Sequence, residues 1–253
     1  MQALERAGYL ARAQSTAFGR RVDGALAVIR EGLSVCHRPF VSFSAGKDST
    51  ALLWLALQER ADISARILTS GESRNMHADL DEVFEWWRTA YPSMELREVL
   101  VDRVWADEWA SATWDEERKA GRGDIVRGLW GSGDFDGVLM GLRDDESNAR
   151  RIANKRGLIR RYRDTRGDIA AGGWVICPLA RWTTQDVATL IVSRGLPLLR
   201  AYDVGIDGMN ERTTMRLTGD AVRQNAMVDL RMRDKGEYNR VVKRFEELQR
   251  WGG

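Results

Sequence analysis

The stretch from Val41 to Leu57, VSFSAGKDSTALLWLAL, constrains the fold more than any other in this 253-residue chain. An apolar run enters a polar, glycine-containing turn, and an apolar helix starts at once. A strand that feeds a helix directly, with apolar residues on both faces, belongs in a parallel sheet covered by helices. The rest of the chain repeats that alternation. The spacing predicts an opening helix over about Phe18 to Val35, with Val22, Leu26, Ile29 and Leu33 on one face. Pro39 then breaks it, and Phe40 to Phe43 reads as the first strand.

Further strands are expected at Ala65–Thr69, Glu95–Val101, Gly137–Gly141 and Trp174–Cys177. Helices are expected at Ser49–Gln58, Asp79–Ala90 and Asp102–Lys119, with a Gly-rich connection over Gly121–Gly133. One more helix opens on a Thr183/Asp186 capping pair and ends near Gly195. The sum is a doubly wound α/β domain with a five-stranded parallel sheet over residues 38–200. It carries a helical segment before it at 1–37, and a basic helical extension after it at 201–253.

Composition narrows the function classes. The run ALLWLAL is too short to span a bilayer, and MQALERAGYLARAQ lacks the apolar core of a signal peptide. Cys36 and Cys177 are the only cysteines, which fits a reducing, cytoplasmic setting and excludes a disulfide framework. His37 and His77 join no ligand cluster, so neither a zinc site nor an iron–sulfur cluster is expected. The formal net charge of +2 hides an uneven distribution. Ala78–Glu117 holds 12 acids and 3 bases, Arg143–Arg166 holds 9 bases and 4 acids, and Arg212–Arg250 holds 10 bases and 6 acids. An anionic partner would be held in the second half, unless these are solvated helical faces.

The turn Ser44-Ala45-Gly46-Lys47-Asp48-Ser49 has the parts of a phosphate cradle. Backbone N–H groups at a helix start point at an anion, and the helix dipole favours negative charge there. Gly46 lets the backbone approach a ligand, Lys47 adds a cation, and the Ser44 and Ser49 hydroxyls donate. The spacing is not that of a Walker A loop.

This loop resembles the SGGKDS pyrophosphate loop of the N-type ATP pyrophosphatases, also called PP-loop or adenine nucleotide alpha hydrolase-like enzymes. Ala45 replaces the commoner glycine. Two further segments resemble the phosphoadenosine phosphosulfate (PAPS) reductase and ATP sulfurylase branch: Gly141-Leu142-Arg143-Asp144-Asp145-Glu146-Ser147 with Arg150, and Pro178-Leu179-Ala180-Arg181-Trp182-Thr183 with Asp186-Val187. All three lie in the order of that branch. The resemblance implies cleavage of ATP between its α and β phosphates, with Mg²⁺. Ser44, Ala45, Gly46, Lys47, Asp48 and Ser49 would hold the β- and γ-phosphates, and Ser70 and Gly71 would lie near the adenosine. Two readings of Asp48 stand: a Mg²⁺ partner, or a carboxylate that stabilises the helix dipole. Arg143 and Arg150 would clamp substrate anion or charge at the α-phosphate, or else pair with Asp144, Asp145 and Glu146. Arg212 and Arg216 sit where relatives contact substrate.

PAPS reductases attack sulfur with a C-terminal cysteine, and here no cysteine follows Cys177. Reduction of PAPS by a thiol of this chain is therefore not expected. The expected activity is adenylation of a substrate at ATP's expense, extending to sulfur transfer onto nucleic acid with a dedicated protein partner. The alternatives are a sulfate adenylyltransferase-like enzyme, an authentic PAPS reductase, and a non-catalytic nucleotide-binding subunit. The ten tryptophans read as core or interface packing rather than base-stacking platforms.

Overall fold

Apolar residues spaced two apart on short strands, and three or four apart on the helices between them, decide the architecture. A computed structural model describes residues 3–69, 79–100, 135–162, 173–200, 202, 209, 227, 228, 230–232, 235–244 and 246–251. Two helices open the chain, α1 (Ala3–Ala13) and α2 (Thr16–Val35). The alternation follows as β1 (Pro39–Ser42), α3 (Lys47–Glu59), β2 (Ser64–Thr69), α4 (Leu80–Ala90), β3 (Leu96–Leu100) and β4 (Gly137–Leu139). Next come α5 (Asn148–Lys155), β5 (Ile159–Arg161), β6 (Trp174–Ile176) and α6 (Thr184–Arg194), and then α7 (Lys235–Arg244) and a 3-10 turn at Glu246–Trp251. No described helix is long and apolar enough to cross a membrane.

The strands form one sheet in the order β3-β2-β1-β4-β6-β5. All pairs are parallel except β5 with β6. The sheet thus has six strands where five were expected. Two of the three β5 residues are arginines, so the strand hides inside a basic run, and a one-sided edge position tolerates that composition. Helix α5, in the same basic run, is a second element absent from the expectation, and in the N-terminal helical segment α1 buries none of its residues. In α1, Tyr9 and Ala13 pack partly buried against the large core, and Arg12 reaches Asp186 at the start of α6 at 2.7 Å. The expected helix at Asp102–Lys119 and the connection at Gly121–Gly133 lie outside the described residues.

Side-chain alternation sorts the strands between two cores. Val41, Leu139 and Ile176 join the large core under α2, α3, α4 and α6. Their neighbours Phe40, Val138, Val175 and Cys177 form a smaller core on the opposite face. Tyr202 and Met209 pack into the large core as well.

From β1 the chain winds outward through β2 and β3, then returns to β4 on the other side of β1. The loops leaving β1 and β4 therefore part at the carboxyl ends of adjacent strands. In open α/β sheets that crevice takes the ligand.

Candidate phosphate-binding site

Gly46 caps α3 in extended conformation, so the helix begins within the polar turn itself. Ser49 Oγ donates to the Gly46 carbonyl at 2.9 Å and accepts from the Ser44 N–H at 3.1 Å, with Ser44 Oγ 3.0 Å away. The two serines thus spend their hydrogen bonds shaping the loop. Ala45 has φ of +53°, the one positive φ outside glycine among the described residues. A left-handed φ costs an alanine roughly 1–2 kcal/mol, which is why glycine is common at such a position.

The loop after β4 closes on this turn from the other side. A Cβ on Gly141 would lie 3.1 Å from both the carbonyl carbon and oxygen of Asp48. A side chain there would press on that backbone by a few tenths of an ångström, which glycine avoids. Two residues later, Arg143 is 3% exposed and places Nε 2.7 Å from Asp48 Oδ1. Its Nη1 donates to Asp145 Oδ2 at 2.8 Å. Lys47 Nζ is 3.4 Å from the other Asp48 oxygen. Asp48 therefore lies between two buried cations contributed by different strand ends.

The Arg143–Asp48 contact is close but misaligned. Arg143 Nε and Asp48 Oδ1 are both buried, and neither has a hydrogen-bond partner. Arg143 Nε and Asp48 Oδ1 face each other as an ion pair, so a polar ligand here must share or replace that contact. Magnesium, which ATP chemistry implies, fits here on one condition. Asp48 Oδ1 is a hard oxygen with lone pairs to give, yet the described residues contain no group of three metal-ligating side chains. Such a site holds Mg²⁺ together with substrate phosphates, not as a cage of its own.

Arg150 meets the carboxylate of Glu146, whose Oε2 also accepts the Arg143 N–H at 3.1 Å. Of the two arginines, then, Arg143 lies against the phosphate loop, while Arg150 braces the turn that presents it. The third sequence segment is structural too. Thr183 and Asp186 cap α6 reciprocally, and Trp182 is buried edge-on to Phe18 at 6.2 Å. Ser70, Gly71, Arg212 and Arg216 lie outside the described residues.

Sequence reasoning missed Tyr202. Its hydroxyl accepts a hydrogen bond from the Lys47 N–H at 2.9 Å, and its ring centroid is 5.8 Å from Lys47 Nζ. A lone tyrosine after a proline-containing connection carries no pattern to find it by. What holds the segment there is an acid–base contact across the chain. The Arg200 N–H donates to Asp79 Oδ2, and its guanidinium meets Glu82 at 2.8 Å.

Both thiols are buried. Burial pushes the Cys36 thiol up to about 11. Cys177 is raised too, because burial outweighs the opposing charge of Arg160.

With this geometry in place, the comparison with known proteins is decisive. The sequence matches the phosphoadenosine phosphosulfate reductase domain over residues 38–241. The chain belongs to that family. Among curated proteins, no significant sequence match is found. Solved structures agree on the fold. Phosphoadenylyl-sulfate (PAPS) reductase from Candida auris, in a phosphate complex, superposes with a TM-score of 0.51 at 14% identity, covering 72% of this chain and 85% of its own. The U34-tRNA thiolase NcsA from Methanococcus maripaludis, with its [4Fe-4S] cluster, gives 0.51 at 15% identity, with 91% and 79% covered. NMN synthetase from Francisella tularensis gives 0.53 at 11% identity, with 94% and 97% covered. Family and fold together make this PAPS reductase-family chain a PP-loop protein of the ATP pyrophosphatase superfamily.

Proposed function

We propose that this PAPS reductase-family chain cleaves ATP between the α and β phosphates and transfers the adenylyl group to an acceptor oxygen. The observation that carries the reading is the buried Arg143–Asp48–Lys47 cluster at the first turn of α3. The acceptor oxygen attacks the α-phosphorus, the bond to the bridging oxygen breaks, and pyrophosphate leaves. Lys47 and the α3 N–H groups take up the charge that collects on pyrophosphate. Arg143, held by Asp48 and Asp145, faces the charge that develops at the α-phosphate. When bound, Mg²⁺ neutralises phosphate charge, and Asp48 is the residue that would hold it.

The second half of the reading is that the adenylated acceptor is a nucleic acid oxygen, and that an external sulfur nucleophile attacks the atom bearing it, so that the bond to this oxygen breaks and AMP leaves. The sulfur comes from outside this chain, since both of its thiols are buried and raised. Lys47→Ala should abolish pyrophosphate release measured with a coupled phosphate assay in the presence of acceptor. Release at the wild-type rate would refute the mechanism. If wild-type protein binds ATP in calorimetry but releases no pyrophosphate with any acceptor or partner, the chain is a nucleotide-binding subunit instead.

A further inference from the structure

Residues 147–162 carry six basic side chains and no acid. The fold sorts these six. Arg150 turns to Glu146, and Arg160 donates to the Gly157 carbonyl at 3.1 Å and lies 3.5 Å from Cys177 Sγ. Arg151, Lys155 and Arg156 stay exposed on α5 and at its end, and Arg161 is exposed on β5, its guanidinium 4.0 Å from the Trp174 ring centroid.

Some surface arginines elsewhere meet carboxylates, as Arg30 does with Glu59 at 2.7 Å, Arg60 with Asp62 at 3.2 Å and Arg88 with Glu85 at 2.8 Å. Among the described residues, no carboxylate pairs with Arg151, Lys155 or Arg156. Within that same set, the side chain of Arg151 bonds the Asn148 amide oxygen, at 2.5 Å. Like charges four apart on a helix, such as Arg151 and Lys155, cost about 0.2–0.5 kcal/mol. Folding alone does not favour this arrangement, whereas an anion laid across it does. The three cations rise about 7.5 Å along the helix direction, so a single small anion cannot meet them all, whereas Arg161 turns to Trp174 on the other face of the sheet.

The surface is also fastened to the site. Glu146 bonds both the Arg143 N–H and Arg150, and Asp144 Oδ1 accepts from Asn154 in α5 at 2.7 Å. We infer that the exposed face of α5 binds the phosphate backbone of a nucleic acid and leads its acceptor group to the loop that carries Arg143. The inference deepens the proposed adenylyl transfer and rests on it for the role of the acceptor.

The test is fluorescence anisotropy of the full chain with labelled single-stranded RNA and DNA oligonucleotides over a salt series, without ATP. The expected wild-type result is binding that weakens linearly in log salt. Replacing Arg151, Lys155 and Arg156 together by Gln should lower that slope by about 2 and weaken binding by about tenfold or more at low salt. Arg151→Lys with Arg156→Lys, which keeps the charge, should hold the wild-type slope. An unchanged slope in the triple Gln variant, a wild type that binds neither oligonucleotide, or equally tight binding of polyglutamate would overturn the inference. Because ATP is absent, failure of ATP cleavage leaves this readout untouched, and the two claims can fail separately.

Discussion

The Tyr202 hydroxyl sits 2.9 Å from the Lys47 N–H, on the first turn of the helix that should receive phosphate. An N–H given to Tyr202 is not available to a phosphate oxygen, so nucleotide must displace the hydroxyl or bind around it. Tyr202→Phe removes the competitor and should tighten ATP binding by about two- to tenfold, the range of one net hydrogen bond. The same variant should lose about 1 kcal/mol of stability without nucleotide, as helix-capping contacts generally do. Calorimetric titration with ATP reads the first effect, and thermal melting the second. Weaker binding in Tyr202→Phe would mean that the hydroxyl touches the ligand instead.

Gly141 is the point where the β4 loop meets the α3 turn. In Gly141→Ala the new methyl carbon would stand 3.1 Å from the Asp48 carbonyl carbon and oxygen and 3.3 Å from the Ser49 nitrogen, all backbone atoms that cannot swing away. Overpacking of this kind costs about 1–3 kcal/mol. The melting temperature should fall by about 2–10 °C. Separation of the loops also stretches the Arg143–Asp48 contact, so pyrophosphate release should fall more than stability does. A variant with wild-type rate and melting temperature would show that the two loops do not need this approach.

Ala45 gives the opposite case. Ala45→Gly relieves about 1–2 kcal/mol of left-handed strain at φ +53°. It gives back about 0.4–1 kcal/mol through a freer unfolded chain. It loses a further 0.8 kcal/mol or so with the buried methyl. Stability should stay within about 1 kcal/mol of the parent, with pyrophosphate release retained. A loss above about 2 kcal/mol in chemical denaturation would show that the methyl packs more tightly than the strain it causes.

How much of this was readable in the sequence depended on how local the cause was. The α3 cap, the strand–turn–helix of the phosphate loop and the Thr183–Asp186 box each depend on a few adjacent residues. Their chemistry therefore showed as spacing. Arg143 was legible as a charged residue after a strand, but its pairing with Asp48 needs β4 beside β1, a relation no window of sequence contains. The positions of Tyr202 and of α1 against α6 were invisible for the same reason. One is placed by Arg200 bonding to Asp79 and Glu82, the other by Arg12 bonding to Asp186. The β5 strand went unread because its arginines answer to the sheet edge and to Trp174 rather than to an apolar pattern.

Asp186 ties α1 to α6, and its carboxyl makes the fold acid-sensitive. Burial pushes its pKa up, but hydrogen bonds from Arg12 and from the Thr183 N–H and hydroxyl outweigh burial and hold the carboxyl below its ordinary value. A carboxyl depressed in the folded state contributes stability that is complete above its unfolded value, about 3.9. That contribution is lost as pH falls through the depressed folded value. Asp186→Asn keeps an acceptor for Thr183 but presents no charge to Arg12, so near neutral pH it should cost about 1–3 kcal/mol, the worth of a hydrogen bond to a charged group. Below about pH 4 the difference between the two proteins should shrink, because the parent carboxyl is then being neutralised as well. Denaturant unfolding at neutral pH and at acid pH measures both. A difference that stays constant through the acid range would show that the charge of Asp186 does not hold α1 in place.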